Sequence, residues 1–235
     1  MLKIDKNKQL SVITLCCNRL EYTARTVASV TQALGDIDYE YLVINAASSD
    51  GTKEWLNYIS NFEYYRRVRP IHLNVNRGIW HGYTAGVIES KSDLILITDN
   101  DILVHSKDVG QKIISSPHPY GMSDFVAYQR NRNTAYVNFP VAFFYMQKRF
   151  YNPNYKLPDD YQTSGLKFFV HKDIICEHID GGEAGLYTQK SLSKIKYPAE
   201  IIYKNLEGDC PMGHFPFRPR GGESAFWASK SHHDT

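Results

Sequence analysis

The sequence predicts an α/β domain in which helices cover a mostly parallel central sheet. Strand-like and helix-like patterns alternate along the first hundred residues, as they do in βαβ units. Residues 94–97 (LILI) are wholly apolar, which is typical of a strand buried on both faces. The length of 235 residues suits one large domain better than two.

Two strand-helix units open the chain. Residues 10–16 (LSVITLC) are a β-branched apolar run, and the apolar positions between residues 20 and 34 recur at the spacing of one helix face. Residues 39–44 predict a second strand, capping and turn residues follow at 48–51, and a helix is expected over 53–59. Each unit therefore contributes a strand and the helix that covers it.

The later elements have weaker patterns. They predict, in chain order, a strand over 64–73, a helix over 79–90, and short strands over 124–128, 141–146 and 168–170. Because periodicity fades after about residue 115, we expect the second half to be a smaller mixed subregion of the same domain. The tail from residue 208 is dense in Pro, Gly and His without a period, which predicts a loop and a loose terminus.

The composition excludes several classes of protein. Hydrophobic residues make up 43% and charged residues 22%, close to the globular average, so bulk disorder is not expected. A formal net charge of +2 supplies no strong field toward nucleic acids or anionic membranes. No run approaches the ~18 apolar residues of a membrane span and the N-terminus lacks a secretion signal, so we predict a cytoplasmic protein without a transmembrane segment. Four cysteines are too few for a disulfide scaffold.

Candidate ligand-binding residues follow the predicted strands, because open parallel sheets bind ligands beyond the carboxyl ends of their strands. The segments at these positions are Cys17-Asn18-Arg19, Asn45-Ala46-Ala47-Ser48, Asn76-Arg77-Gly78 and Asp99-Asn100-Asp101. No Gly-x-Gly-x-x-Gly follows the first strand, and no Gly-Lys-Ser/Thr occurs in the chain. A dinucleotide site and a P-loop are therefore both disfavoured.

Asp99 and Asp101 follow the most apolar strand. Residues i and i+2 of an extended segment point the same way, so we expect both carboxylates to face one point. Two hard oxygen ligands on one side of a cation leave the other side open for phosphate oxygens, which is how Mg²⁺ or Mn²⁺ is shared with a nucleotide. The alternative is an ordinary polar turn after a strand.

Four segments, in order, carry a resemblance to a known family. SVITLCCNR, VINAASSDGT, NVNRGIWHGYTAG and SDLILITDND resemble the motifs of the family 2 glycosyltransferases of the GT-A fold, over roughly residues 11–104. The resemblance implies a Rossmann-like sheet and metal-dependent transfer of a sugar from a nucleoside-diphosphate donor, expected to be a UDP-sugar, to an acceptor hydroxyl with inversion. Within one domain over 1–235, residues 1–104 would bind the donor, 105–207 would bind the acceptor and supply catalysis, and 208–235 would form a flexible tail.

The resemblance also implies a site, carried over position by position. The implied nucleotide-binding residues are Thr14, Asn18, Arg19, Asn45, Arg77, Asp99 and Asn100. Asn45 would face the base, and Arg77 would lie near the ribose or the diphosphate. Mn²⁺ or Mg²⁺ would be held by Asp99 and Asp101, with His178 as a candidate third ligand.

The chain departs from the family pattern at two places. Asn45-Ala46 stands where the family has Asp-Asp, and Leu15 stands where the first motif has Pro. An Asn amide can still both donate and accept a hydrogen bond, so recognition of a base edge remains open to this residue. The identity of the base is what these departures affect.

The second half resembles the family more loosely. Asp159-Asp160, followed by Gly165 and an aromatic strand, looks like the acidic pair that precedes a Gly and a strand in the family. This implies Asp160 as the catalytic base with Asp159 beside it, whereas an Asp-Asp after Pro is equally expected as a helix cap. The tail residues His214, Arg218 and Arg220 could close over the diphosphate or belong to a disordered terminus.

Several other functions remain as alternatives. A degenerate GT-A module that binds nucleotide or glycan without turnover is favoured by Asn45-Ala46 and disfavoured by the intact Asp99-Asn100-Asp101. A phosphatase of the haloacid-dehalogenase type also uses Asp-x-Asp, but it expects Thr or Val where this chain has Leu103. A nucleotidyltransferase would need a glycine-rich loop after the first strand, and LCCNRLEY has no glycine.

A structural zinc site is a further alternative. Two Cys and two His make a good tetrahedral set, and the candidates are Cys176, His178, Cys210 and His214. Their spacings match no standard zinc motif. The sequence assigns neither the sugar nor the oligomeric state, and acceptors from glycans and lipid-linked sugars to protein side chains or a modified nucleobase in DNA stay open.

Overall fold

The computed structural model describes residues 9–125, 136–137, 142–154 and 164–178. The elements in these ranges are, in chain order, β1 (Leu10–Cys16), α1 (Leu20–Leu34), β2 (Tyr39–Ala46), α2 (Thr52–Ile59), β3 (Val68–Leu73), α3 (Ile79–Glu89), β4 (Leu94–Asp99), β5 (Ile102–Val104), α4 (Val109–Ile114), β6 (Tyr120–Phe125), β7 (Tyr136–Val137), β8 (Phe143–Gln147) and β9 (Phe168–His178).

One sheet joins the strands that the structure describes, in the order β3-β2-β1-β4-β8-β6-β9-β5, with β7 paired to β9. The first four strands in this order pair in parallel. β8 is antiparallel to both β4 and β6, β9 is parallel to β6, and β5 closes the far edge antiparallel to β9. The predicted parallel half with a mixed second part is therefore confirmed.

The core lies between the parallel strands and the helices that cover them. β1 is buried at six of its seven positions and β2 at all eight. The predicted bounds of β1 match the structure, and α1 covers the predicted helical face. Because both faces of these strands are covered, their apolar runs are continuous rather than alternating.

Two glycines of α3, Gly82 and Gly86, face the sheet and leave no room for a Cβ. A Cβ on Gly82 would come within 2.2 Å of Leu15 Cδ1, and one on Gly86 would come within 2.5 Å of Ile13 Cγ2. Gly82 and Gly86 of the NVNRGIWHGYTAG segment therefore have a packing role. The close approach brings the first turns of α3 over the carboxyl ends of β1 and β4.

The outer edge of β5 is covered by side chains of α1. Thr26 Oγ1 accepts a hydrogen bond from the Ile102 amide at 2.9 Å. Ser29 Oγ lies 3.4 Å from the Val104 amide, which donates to it. Hydroxyl groups of the helix thus satisfy backbone donors that a neighbouring strand would otherwise bind.

Some predicted bounds are wrong for identifiable reasons. β3 begins at Val68 rather than at residue 64, because Glu63–Tyr65 form a 3-10 helix whose Tyr65 side chain is buried. β9 extends to His178, well past residue 170, since its ladder with β5 continues the strand. Among the described residues, no helix combines the length and apolarity needed to cross a membrane.

Candidate active site

A cleft of about 350 Å³ opens where the parallel strands β1, β2 and β4 end. Its lining residues are Leu15, Cys17, Arg19, Ala46, Asn76, Gly78, Ile79, Tyr83, Asp99, Asn100 and Asp101. This is the edge at which open parallel sheets bind ligands. The segments predicted to flank a ligand therefore do converge on one cavity.

Asp99 is the last residue of β4 and is held from above by α3. The Tyr83 hydroxyl donates a hydrogen bond to Asp99 Oδ1, and Tyr83 itself is only 3% exposed. Burial, reinforced by repulsion from Asp101, raises the pKa of Asp99 to about 6. A positive charge entering the cleft would favour the ionised form of this carboxyl.

Asp101 lies in the turn between β4 and β5, so the expectation of one extended segment is wrong. The chain turns at Asn100, whose side-chain Nδ2 donates a hydrogen bond to Thr23 Oγ1 at 3.0 Å. The turn nevertheless leaves both aspartates lining the same cleft. Convergence comes from a tight turn that is anchored to α1 rather than from strand alternation.

Two cationic side chains approach Asp101 from different sides. Arg19 Nη1 lies 3.4 Å from Oδ2, and His178 Nδ1 lies 3.4 Å from Oδ1. Burial alone would raise the pKa of Asp101, but these two neighbours lower it below its usual value. For His178, burial alone would lower the pKa, but Asp101 and Asp99 raise the pKa of this residue above its usual value. The pairing favours the charged forms of both residues.

His178 reaches this position through the pairing of β5 with β9. β5 begins directly after Asp101, and its register places Ile102 opposite His178. A hydrogen bond between His105 Nε2 and Glu177 Oε2, at 3.0 Å, joins the residue that follows β5 to β9. The end of β9 is thus fixed beside the aspartate turn.

One wall of the cleft consists of two loops tied to each other. Asn18 and Arg19 both adopt left-handed backbone conformations, with φ of 57° and 60°. The backbone N–H of Asn18 donates a hydrogen bond to Ser48 Oγ at 2.7 Å. In return, Asn18 Oδ1 accepts a hydrogen bond from the backbone N–H of Ser49 at 2.8 Å. These reciprocal bonds join the loop after β1 to the loop after β2.

Asp50 connects the same loops to two helices. Its carboxylate accepts hydrogen bonds from the Leu20 amide at 2.9 Å and from the Thr52 amide at 3.1 Å. Leu20 begins α1 and Thr52 begins α2. The first amide of α1 is therefore satisfied within the protein, in contrast to a Rossmann site, where helix amides bind the pyrophosphate.

The donor set of the cleft fits a hard divalent cation. Asp99 and Asp101 offer carboxylate oxygens, and the buried Asp101 Oδ1 lies 3.4 Å from His178 Nδ1 without hydrogen-bond geometry from the described residues. A contact of this length leaves that oxygen available as a ligand for a hard cation. Within the described ranges no three His, Cys, Asp or Glu side chains are grouped to hold a metal, so substrate oxygens or water would complete the coordination.

A comparison with protein families identifies the chain. The model of "Glycosyl transferase family 2" matches residues 11–175. The chain belongs to this family. The match extends well past residue 104, where the motif resemblance ends, and it includes β6, β8 and most of β9.

Solved structures share the fold of this family 2 chain. The mannosyltransferase PcManGT from Pyrobaculum calidifontis, in complex with GDP-Man and Mn²⁺, superposes with a TM-score of 0.60 at 15% identity, covering 74% of this chain and 58% of its own. S. aureus TarS 1-349, in complex with UDP, gives 0.55 at 13%, covering 72% and 60%. The chain thus spans about three fifths of the length of these proteins. The GT-A fold is confirmed, and a search of curated proteins gives no significant match.

Two residues implied by the family resemblance are enclosed inside the fold instead of lining the cleft. Thr14 is fully buried, and its hydroxyl lies 2.8 Å from that of Tyr41. Asn45 is 1% exposed; its Oδ1 accepts from the Ser48 amide at 3.1 Å, and its Nδ2 lies 3.2 Å from His72 Nδ1. Both side chains are engaged inside the fold, and their nucleotide contacts stay predictions.

The other predicted residues have mixed placements. Arg19, Asp99, Asn100 and Asp101 line the cleft. Asn18 shapes the adjoining loop, and Arg77 is exposed between two lining residues. Asp159 and Asp160 lie outside the described residues, as do Cys210 and the tail residues His214, Arg218 and Arg220.

Sequence reasoning missed two features of the cleft. Tyr83 binds Asp99 from α3, although an aromatic residue on a helix usually suggests core packing. Its position one helical turn after Ile79, another lining residue, could have indicated it. The second feature is a bridge across the cleft, in which Asn76 Nδ2 donates to Cys17 Sγ at 3.3 Å.

Proposed function

We propose that the protein is a metal-dependent glycosyltransferase that moves a sugar from a nucleoside-diphosphate donor to an acceptor hydroxyl with inversion. The observation that carries this proposal is the convergence of Asp99 and Asp101 in the cleft at the end of β4. Membership of glycosyltransferase family 2 supports the reaction class. The proposed acceptors are those left open by the sequence, namely a glycan, a lipid-linked sugar, a protein side chain or a modified nucleobase in DNA.

The donor binds across the ends of β1, β2 and β4 in this proposal. The volume of the cleft, about 350 Å³, is in the range of small-molecule sites. PcManGT is described in complex with GDP-Man and Mn²⁺, and TarS with UDP, which supports a nucleoside-diphosphate donor and a divalent cation. We retain UDP as the proposed nucleotide and Mn²⁺ or Mg²⁺ as the proposed cation.

Four residues of the cleft have proposed roles in binding the cation and the diphosphate. Asp99 and Asp101 would hold the cation, which supplies charge neutralisation for the departing nucleoside diphosphate. Tyr83 fixes the orientation of the Asp99 carboxylate. Arg19 offers a planar guanidinium whose donors match phosphate oxygens.

A carboxylate base completes the proposal. It takes the proton from the acceptor hydroxyl as that oxygen forms its bond to the anomeric carbon, while the bond from this carbon to the diphosphate oxygen breaks on the opposite face. Asp160 is the proposed base, with Asp159 beside it. Attack from the face opposite the leaving group inverts the anomeric configuration.

A second candidate function is a family 2 module that binds nucleotide or glycan without turnover. The burial of Asn45, in the position where the resemblance implies a base-contacting residue, favours this alternative. Hydrolysis of a nucleotide-sugar donor in the absence of acceptor distinguishes the two. Slow, cation-dependent release of nucleoside diphosphate supports the enzyme, and binding without any release supports the module.

Thermal unfolding with UDP, GDP, CMP and dTDP, each with and without Mn²⁺, tests the proposal directly. We expect one nucleoside diphosphate with Mn²⁺ to stabilise the fold by about 2.7 kcal/mol at 100 times its dissociation constant. Asp101→Asn should lose this effect. Asp36→Asn, an exposed aspartate in the loop that leads to β2, is the matched control and should keep it. Absence of stabilisation by every nucleotide with Mn²⁺ would contradict the proposal.

A further inference from the structure

We infer that Arg19 is an exchangeable counter-ion, which competes with a divalent cation for Asp101 and transfers to the diphosphate of the donor when cation and donor bind together. The inference rests on the proposed function and deepens it. It concerns the order and coupling of binding at the site rather than the chemical step. The consequence is that cation and nucleotide each bind weakly alone and tightly together.

Competition follows from the atoms that Arg19 contacts. Its Nη1 lies 3.4 Å from Asp101 Oδ2, on the carboxylate that the cation would need. Like charges repel at this range in a partly buried site, so a cation approaching Asp101 meets the guanidinium already beside it. His178 covers the other oxygen at 3.4 Å. The negative charge of Asp101 is therefore compensated from two directions.

The contact between Arg19 and Asp101 is long and partly open to water. At 3.4 Å it is longer than the roughly 2.7–2.9 Å of a strong charge-assisted hydrogen bond. The Arg19 side chain is 32% exposed, so water can replace the carboxylate as its partner. Because the contact is long and the guanidinium is partly in water, exchanging the carboxylate for a phosphate oxygen costs less than breaking a fully buried pair would.

A second contact keeps the guanidinium at the cleft once it leaves Asp101. The Arg19 guanidinium carbon lies 4.4 Å from the centroid of the Tyr22 ring, within the range of a cation–π interaction. Tyr22 belongs to the first turn of α1, directly after Arg19. The side chain can therefore change partner by rotating on the ring instead of swinging into solvent.

The destination is set by the chemistry of the guanidinium. Its fork of donors binds phosphate oxygens two at a time, whereas an aspartate at 3.4 Å engages one nitrogen. The backbone of Arg19 is fixed, since its carbonyl accepts the Thr23 amide at 3.0 Å and the preceding loop is tied to Ser48. Only the side chain has to move for the exchange.

The test measures Mn²⁺ binding by electron paramagnetic resonance in the presence and absence of saturating UDP. Arg19→Gln removes the charge and keeps a polar side chain. Without UDP, we expect this variant to bind Mn²⁺ about two- to fivefold more tightly than the wild type, because the competitor is gone. With UDP, we expect it to bind Mn²⁺ several-fold more weakly, because the guanidinium no longer holds the diphosphate.

Two further variants serve as controls. Arg25→Gln removes a cation from the same helix, where Arg25 pairs with Glu21, and it should change neither affinity. Arg19→Lys keeps the charge without the planar fork; it should bind Mn²⁺ alone like the wild type and UDP with Mn²⁺ more weakly. Melting temperatures of all variants establish that each is folded.

The reversal of sign between the two conditions is the decisive outcome. Tighter Mn²⁺ binding by Arg19→Gln both with and without UDP would overturn the exchange. Arg19 would then oppose cation binding in both conditions without moving to the diphosphate. Unchanged or weaker binding of Mn²⁺ alone would overturn the competition. If the wild type binds neither Mn²⁺ nor UDP, the proposed function itself fails. If the wild type binds both and releases UDP from a donor, the proposed function stands. Absence of the sign reversal then overturns only the exchange.

Discussion

Both ends of β4 border a cavity, and the two carboxylates that converge, Asp99 and Asp101, line the smaller one. At the amino end a groove of about 570 Å³ is lined by Asp93, Leu94, Ile113, Ile114, Ser116, His118, Gln147 and Arg149. At the carboxyl end the cleft has about 350 Å³. Volume alone would favour the amino end, whereas carboxylates converge at the carboxyl end.

The difference lies in how far the fold already uses the polar groups. In the amino-end groove the Ser116 hydroxyl accepts from the Tyr145 hydroxyl at 2.7 Å, and the His118 ring stacks on Phe169 with centroids 4.0 Å apart. At the carboxyl end the charged neighbours of Asp101, Arg19 and His178, each lie 3.4 Å from one of its oxygens. Carboxylates that the fold pairs only at long range, rather than the larger space, distinguish the cleft from the groove.

Exchanging one aspartate at each end should give the largest contrast. Asp101→Asn should abolish the stabilisation by UDP with Mn²⁺ and reduce turnover to background, because it removes a cation ligand. Asp93→Asn, at the amino end, should leave both unchanged. Differential scanning fluorimetry and a UDP-release assay measure the two effects. A larger loss from Asp93→Asn would reverse the comparison and move the site.

The base should affect turnover without affecting binding. Asp160→Asn keeps the shape of the side chain and removes the proton acceptor, so turnover should fall by about 10²–10⁴. Nucleotide affinity should stay nearly intact, because the base acts only on the acceptor hydroxyl. Retention of the donor's anomeric configuration in the product, or full turnover in the variant, would place the base elsewhere.

The two glycines of α3 should separate stability from binding. In Gly86→Ala the new Cβ meets the stiff, β-branched Ile13 and the buried Ile44, and we expect a loss of about 1–3 kcal/mol in the free energy of unfolding. In Gly82→Ala the obstacle is the end of the Leu15 side chain, which lines the cleft. A smaller stability loss with weaker UDP binding is expected, measured by urea unfolding and calorimetry. Equal stability losses would contradict this division.

The last expected effect is a change in nucleotide selectivity at Asn45. Asn45→Ala should weaken the preferred nucleotide by about 1–3 kcal/mol if the amide reads the base, the cost of an unpaired polar edge. The structure sharpens this test, since Asn45 also supports Ser48 and His72. His72→Ala disturbs the same network without removing the amide. Equal weakening of all nucleotides in both variants would assign Asn45 to loop support.

The sequence predicts the strongly periodic part of the fold well. β1 is found at residues 10–16 and α1 begins at Leu20 as expected, because both bury a continuous apolar face. The elements α4, β5 and β7 were not predicted, since two to six residues are too few to establish a period. β5 forms because β9 pairs with it from a distant part of the chain, and local patterns carry no information on such pairing.

The site was predictable in location and less so in detail. Placing Asp99 and Asp101 after a buried strand was enough to locate the cleft, although the turn at Asn100 replaces the expected extended geometry. Thr14 illustrates the limit. The family resemblance implies that Thr14 flanks the nucleotide, whereas its hydroxyl lies 2.8 Å from the Tyr41 hydroxyl inside the fold. Which of two partners a polar group selects depends on contacts across the sheet.

The hydroxyl groups of α1 that meet β5 have a consequence for association between molecules. An exposed edge strand is a template on which a second chain can add, and many proteins protect such edges with charges or prolines. Here Thr26 and Ser29 take up the amides of Ile102 and Val104 from a helix. Along β5 the edge offers no free ladder to an incoming strand, so intermolecular sheet extension past the aspartate turn is blocked without placing any added charge near the site.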